Sequence, residues 1–168
     1  MSAGGFEVWA QAHWVRLRAV ARVVCADQHL ADDVLQDALI EVYSRWDRIS
    51  GGSSPFGYAA RVIVTKAADR RRSSWARRVI LVDDARALDE ATASESDAVV
   101  DRLTVTRALD GLNVHQRAAI ALHYFADSSI TEISEILQRP VGSVTSDLTR
   151  ARAALREHLG TPGGDDDA

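Results

Sequence analysis

Cysteine is almost absent from this 168-residue chain. Cys25 stands alone, which excludes an internal disulfide and any metal site built on clustered thiolates. The five histidines, His13, His29, His115, His123 and His158, show no paired ligand spacing. No apolar run approaches the roughly 20 residues of a membrane span. The opening MSAGGFEVW lacks the basic-then-apolar pattern of a secretory leader. A Gly-rich phosphate loop, a nucleophile motif and a catalytic carboxylate pair are all missing, so neither an enzyme nor a cofactor is expected. There is no internal repeat and no convincing strand alternation. What is present is helical periodicity through most of the chain, with 46% hydrophobic residues, normal for a globular protein. The expectation is an all-α protein in a reducing, cytoplasmic setting.

The net charge of −4 hides an uneven distribution. Residues 61–80 carry seven Lys/Arg and one Asp, net +6, whereas residues 83–102 carry seven acids and two Arg, net −5. A basic block beside an acidic one suggests a polyanion-binding face followed by a solvated connector. The first helix is predicted from Phe6 to Ala26, with Val8, Trp9, Ala12, Leu17, Val20, Ala21 and Val24 at helical spacing. Asp27 can cap a second helix running to about Trp46, with an apolar stripe from Leu30 to Trp46 through Val34, Leu35, Ala38 and Val42. Its opposite face carries Asp32, Asp33, Gln36, Asp37 and Glu41, a pattern that solvation alone would also explain. Ile49 to Ser54 reads as a flexible loop. Pro55 then suits a first helical turn.

The third helix is predicted from Phe56 to about Arg72, with Phe56, Ala59, Ala60, Ile63 and Ala67 inward. Arg61, Lys66, Arg70, Arg71 and Arg72 face out and Trp75 follows. Cations that track a backbone and rings that stack on bases fit single-stranded nucleic acid. A basic helix end complementing the helix dipole fits equally well. The apolar run Val79 to Val82 precedes an Ala- and Ser-rich acidic stretch that reads as a linker. Helical pattern resumes at Val99, with Leu103 and Leu109, and ends near Gly111. A further helix spans Val114 to Phe125.

Ser129 to Arg152 is the most distinctive stretch. Ser129 and Glu132 have capping-box spacing, and Ile130, Ile133, Ile136 and Leu137 share one face. Arg139-Pro140 breaks that helix. A second follows with Val141, Val144, Leu148 and Ala151 inward. The pattern fits a DNA-binding helix-turn-helix, and also an ordinary αα-hairpin. The end, GTPGGDDDA, reads as a disordered tail.

Three stretches in this order, ADDVLQDALIEVY (31–43), FGYAARVIVTKAADRRR (56–72) and ITEISEILQRPVGSVTSDLTRARAAL (130–155), resemble bacterial sigma factors of the small extracytoplasmic-function class. YSRWDRI (43–49) is similar to the actinobacterial sigma-E subgroup. The resemblance implies a region-two domain at 6–82, a linker at 83–98, a region-four domain at 99–159 and a tail at 160–168. It implies core RNA polymerase and promoter DNA as partners, an anti-sigma factor as a possible further one, and no membrane. Asp33, Gln36 and Asp37 match the polymerase-docking helix. Arg61, Thr65, Lys66, Arg70, Arg71, Arg72 and Trp75 match the part that holds the −10 non-template strand around an unstacked base. Ser143, Thr145, Ser146, Asp147 and Arg150 fall on the helix that enters the −35 duplex.

The departures matter. The family usually has Asn where Thr65 stands, so one hydroxyl replaces an amide that both donates and accepts. Asn113 stands where a Pro is common, and it is an acceptable helix cap. Residues 142–147 read Gly-Ser-Val-Thr-Ser-Asp where the family pattern is close to Gly-Thr-Val-Lys-Ser-Arg. Two usual cations are therefore missing, which weakens phosphate contact, and Asp147 would either repel phosphates or accept from a cytosine amino group. Two alternatives stand beside a sigma factor: a sigma-like mimic that binds an anti-sigma factor rather than DNA, and a helix-turn-helix regulator.

Overall fold

The computed structural model describes residues 3–52, 54–80 and 107–159, and among these there is no strand. Helix α1 spans Ala3–Cys25. It stops at Ala26, which takes a left-handed φ of 56°. Asp27 then caps α2, Gln28–Ser44, its carboxylate accepting from the Leu30 N–H at 2.8 Å. The chain breaks at Arg45, and a single turn, α3, covers Trp46–Ile49. The second helix thus ends two residues short of Trp46, and Ile49 is not loop: it is buried at 4% exposure and closes the core beneath α4. The glycine-rich loop is correspondingly shorter.

Helix α4 runs Pro55–Ile80. The Ser54 hydroxyl accepts from the Gly57 N–H at 3.2 Å, an N-terminal cap that lets Pro55 sit in the first turn. The helix continues well past Arg72, so Trp75, Val79 and Ile80 extend it rather than forming a separate segment. Leu81, Val82, the acidic linker, Val99, Leu103 and the tail lie outside the described residues. Residues 107–110 are helical. Then follow α5, Val114–Phe125, α6, Ile130–Leu137, and α7, Val141–Leu159.

The buried stripe of α1 passes through Phe6, Trp9 and His13 to Leu17, Val20, Ala21 and Val24. Val8 and Ala12 are out of phase with it and stand exposed, Val8 at 69%. Val141, at the open end of α7, is also half exposed. An aromatic cluster seats the N-terminal end of α1 on α3: Phe6 meets Trp46 edge-on at 5.6 Å and Trp9 lies 5.4 Å from Trp46. Such pairs add orientation to apolar burial.

The buried residues of α1, α2 and α4 are continuous with those of α5, α6 and α7, so both halves share one core. Helix α1 lies against α5 as well as against α2 and α4. At this junction Arg117 of α5 is fully buried. Its Nε donates to the Val24 carbonyl at 2.8 Å and its Nη1 to the Leu109 carbonyl at 3.2 Å. Its Nη2 has no partner among the described residues. Burial, with the nearby charge of Arg71 adding to it, pulls the guanidinium down to about 10. Arg16 of α1 adds a donor to the Ala126 carbonyl.

Removing the Arg117 side chain leaves a cavity and takes a donor from the Val24 and Leu109 carbonyls, of which the second keeps the Leu112 N–H at 3.0 Å. Arg117→Ala is expected to lower unfolding stability by about 3 kcal/mol, read from urea midpoints at constant m-value. A loss under about 1 kcal/mol would show that the junction does not depend on this residue.

Candidate nucleic-acid and partner interfaces

The acidic face of α2 and the basic face of α4 lie side by side. Arg70 sits between Asp37, at 2.9 Å, and Asp33, at 3.5 Å. Lys66 lies 3.6 Å from Glu41, which also pairs with Arg45 at 3.0 Å and accepts from the Tyr58 hydroxyl at 3.0 Å. Residues expected to serve separate partners are therefore paired with one another. These groups are partly exposed, so each pair adds little to stability; their effect is to neutralise charge on both helices. Asp33 and Gln36 remain exposed, and beside them Ile40 is 68% exposed. Sequence reasoning missed Ile40. The available signal was its place outside the buried stripe of α2, one turn beyond Gln36.

Arg61 does not face outward. Its Nε donates to the Ile136 carbonyl at 2.8 Å and its Nη2 to the Glu135 carbonyl at 3.0 Å. These carbonyls close the last turn of α6, where a cation complements the helix dipole. The contact needs a close approach: a Cβ at Gly57 would meet Ile136 Cγ1 at 3.3 Å. Beyond it a cleft of about 530 Å³ opens, with Arg61, Thr65, Arg71 and Arg72 on one wall and Asn113 and His115 on the other. Arg72 also pairs with Asp69. Burial, then the charge of Arg139, lowers the His115 pKa, while Asp147 acts in the opposite direction. Trp75 belongs to the same helix, but its side chain lies outside the described residues. Cys25 is buried, and burial raises its thiol to about 11, far from the thiolate form at neutral pH.

The C-terminal pair of helices is built from local signals. Asn113 and Gln116 form a capping box on α5, and Ser129 and Glu132 form another on α6. The Ser129 hydrogen bonds lower the Glu132 pKa. Helix α6 ends at Gln138, left-handed at φ 52°, ahead of Arg139-Pro140. The Ser134 hydroxyl donates to the Arg139 carbonyl at 2.6 Å and fixes the turn.

On α7, Thr145, Ser146 and Arg150 are exposed and Ser143 is half-buried. Asp147 departs from expectation. It is 6% exposed, and its carboxylate lies 2.9 Å from Arg139 Nη1. It neither faces phosphates nor stands free to read a base, because it shares the inward side of α7 with Val144, Leu148 and Ala151. Among the described residues no helix is long and apolar enough to cross a membrane.

Arg61→Ala removes both hydrogen bonds between α4 and the end of α6. Amide hydrogen exchange in α6 and α5 is expected to quicken several-fold while α1 and α2 keep their protection. Unchanged exchange in α6 would show that apolar packing alone holds it.

The described helices correspond to known ones. "Sigma-70 region 2" matches residues 9–77, and "Sigma-70, region 4" matches residues 102–155. The RNA polymerase sigma-E factor of Streptomyces avermitilis is 30% identical over 156 residues, covering 92% of this chain and 84% of that protein. The ECF RNA polymerase sigma factor SigM of Mycobacterium tuberculosis is 29% identical over 155 residues, covering 92% and 77%. Two solved structures share the fold. The sigma factor RpoE in complex with the anti-sigma factor NepR from Bartonella quintana has a TM-score of 0.70 at 23% identity, covering 94% of this chain and 99% of that one. CnrH in complex with the cytosolic domain of CnrY has a TM-score of 0.66 at 22% identity, covering 94% and 89%. With region 2 and region 4 in this order and a sigma-E relative matched over 84% of its length, the chain belongs to the sigma-70 family, in the extracytoplasmic-function class of RNA polymerase sigma factors.

Proposed function

We propose that the chain binds core RNA polymerase in the cytoplasm and directs it to a subset of promoters, with polymerase supplying the chemistry. The observation that carries this reading is the pairing, on one chain, of an acidic docking strip on α2 with a helix-turn-helix whose outer face is open. Region 2 would occupy residues 6–82 and region 4 residues 99–159, with 83–98 between them. Asp33, Gln36 and Asp37 dock on a basic partner helix, and Ile40 adds an apolar contact beside them. Charge complementarity of this kind sets partner choice and encounter rate.

Arg71 and Arg72 follow the −10 strand, and Thr65 offers its hydroxyl to an unstacked base. Region 4 holds the −35 duplex through α7. In the free chain Arg61 is engaged by α6 and the Thr65 wall faces α5. Docking on polymerase therefore has to part the two regions before α4 meets DNA. The closed packing also favours a second partner. One fold neighbour, RpoE, is in complex with the anti-sigma factor NepR, and the other, CnrH, with the cytosolic domain of CnrY; an anti-sigma protein here would stabilise the closed arrangement.

Purified chain mixed with core polymerase and a promoter-fragment library tests the reading: it should bind core and direct initiation from a subset. A chain that binds an anti-sigma factor but neither core nor promoter would be a mimic instead. Two variants separate the interfaces. Asp33→Ala with Asp37→Ala should weaken core binding about tenfold, as loss of a charged contact does. Arg71→Ala with Arg72→Ala should leave core binding intact and slow open-complex formation at least tenfold. Arg70 is unsuited to the second test, because its loss also frees Asp33 and Asp37.

A further inference from the structure

The DNA-facing surface of region 4 can be taken further, resting on the reading above. On α7 the exposed residues Thr145, Ser146, Thr149 and Arg150 stand at the spacing of one helical face. That face is outside the junction with region 2, where α4 meets α5 and α6. Two of its hydroxyls are already committed. Thr145 Oγ1 donates to the Val141 carbonyl at 3.0 Å and Thr149 Oγ1 to the Thr145 carbonyl at 2.9 Å. With its one donor used inside the helix, each threonine offers its partner chiefly a methyl group. The charges that would otherwise dominate have been withdrawn: Asp147 is buried and holds the Arg139 guanidinium at 2.9 Å, across the turn.

We propose that the Arg139–Asp147 pair removes both charges from the region-4 recognition surface, and that the Thr145 and Thr149 methyls left there read thymine 5-methyl groups in the major groove. Among the bases the 5-methyl belongs to thymine alone, and threonine methyls are suitable apolar partners for it. The two residues are four apart in the chain, about 6 Å along the helix. Bases are spaced by about 3.4 Å per strand, so the two methyls address neighbouring or next-neighbouring steps. Among the described residues the Ser146 hydroxyl makes no internal hydrogen bond and is offered on this face, where Arg150 supplies a cation. Asp147 acts as a positioning residue: it determines where Arg139 is, and makes no contact with DNA itself.

Uracil differs from thymine only by the 5-methyl, which makes the test direct. The full chain, bound to core polymerase, is presented with its selected promoter fragments carrying uracil for thymine in the −35 duplex. Affinity should fall roughly fourfold for each methyl contact, the value of burying one such group. Thr145→Ser with Thr149→Ser keeps the internal hydrogen bonds but lacks the methyls, and should erase the difference between thymine and uracil. Asp147→Asn should release Arg139 toward the phosphates and steepen the salt dependence of binding by about one contact, a slope change of about 0.9.

A chain that initiates normally yet binds thymine and uracil fragments equally would overturn the inference and leave the sigma reading intact. A thymine preference that persists in the double serine variant would also overturn it. Salt dependence unchanged in Asp147→Asn would remove the role given to the ion pair. Failure of the wild-type chain to bind core or initiate would remove the sigma reading and this inference with it. The uracil comparison uses the unmodified protein, so it stands even if Asp147→Asn does not fold.

Discussion

A buried guanidinium holds the two halves of this chain in one arrangement. Arg117 reaches from α5 into the space between α1 and the turn after residues 107–110 and donates to the carbonyls of Val24 and Leu109. Apolar burial alone would let the halves slide, because it has no direction. Hydrogen bonds from a planar cation do have direction. Arg16 to Ala126 and Arg61 to the end of α6 repeat the device at two further points. In each case an arginine donates to a main-chain carbonyl, so the junction is specific in geometry. Net gains from such bonds are modest because water competes for both groups. A junction of this kind can be well defined when closed and still yield to a strong partner.

The same economy of cations governs the surface. Helix α4 carries the densest positive charge in the chain, yet Arg61 is docked on α6, Lys66 faces Glu41 and Arg70 lies between Asp33 and Asp37. Arg139 is held by Asp147 in region 4. Nonspecific attraction to DNA scales with the number of cations free to displace counterions. With Arg61, Lys66, Arg70 and Arg139 engaged by the chain's own groups, fewer cations are free to hold the chain on DNA without polymerase. Under the proposed function, specificity falls to the few groups exposed on α7 and to those uncovered when the regions part.

Much of the architecture was legible because it is local. The Ser129–Glu132 capping box, the Asn113 and Asp27 caps and the break at Arg139-Pro140 are readable from adjacent residues, and each lies where the sequence places it. The errors have tertiary causes. Helix α2 stops at Ser44 because Trp46 turns back to meet Phe6 and Trp9. Ile49 reads as loop only until the core it closes is known. Arg70 and Asp37 belong to helices read separately, and no sequence pattern announces that they touch. The inward position of Asp147 has the same kind of cause. A motif supplies a position along the helix, but its face depends on Arg139 reaching across the turn. Arg117 lies in the apolar run around Ala118 to Leu122, and that mismatch was the available sign of a buried charge.

In the free chain the two regions are packed on one core, and in the proposed function core polymerase parts these two halves. Spin labels at Gln11→Cys and Arg156→Cys, in a chain carrying Cys25→Ala, report the separation of the halves directly. Both labelled positions are exposed. The free chain should give a single narrow distance distribution, and addition of core polymerase should move it to a distinctly longer distance. The same short, narrow distribution in the core-bound complex would contradict the account.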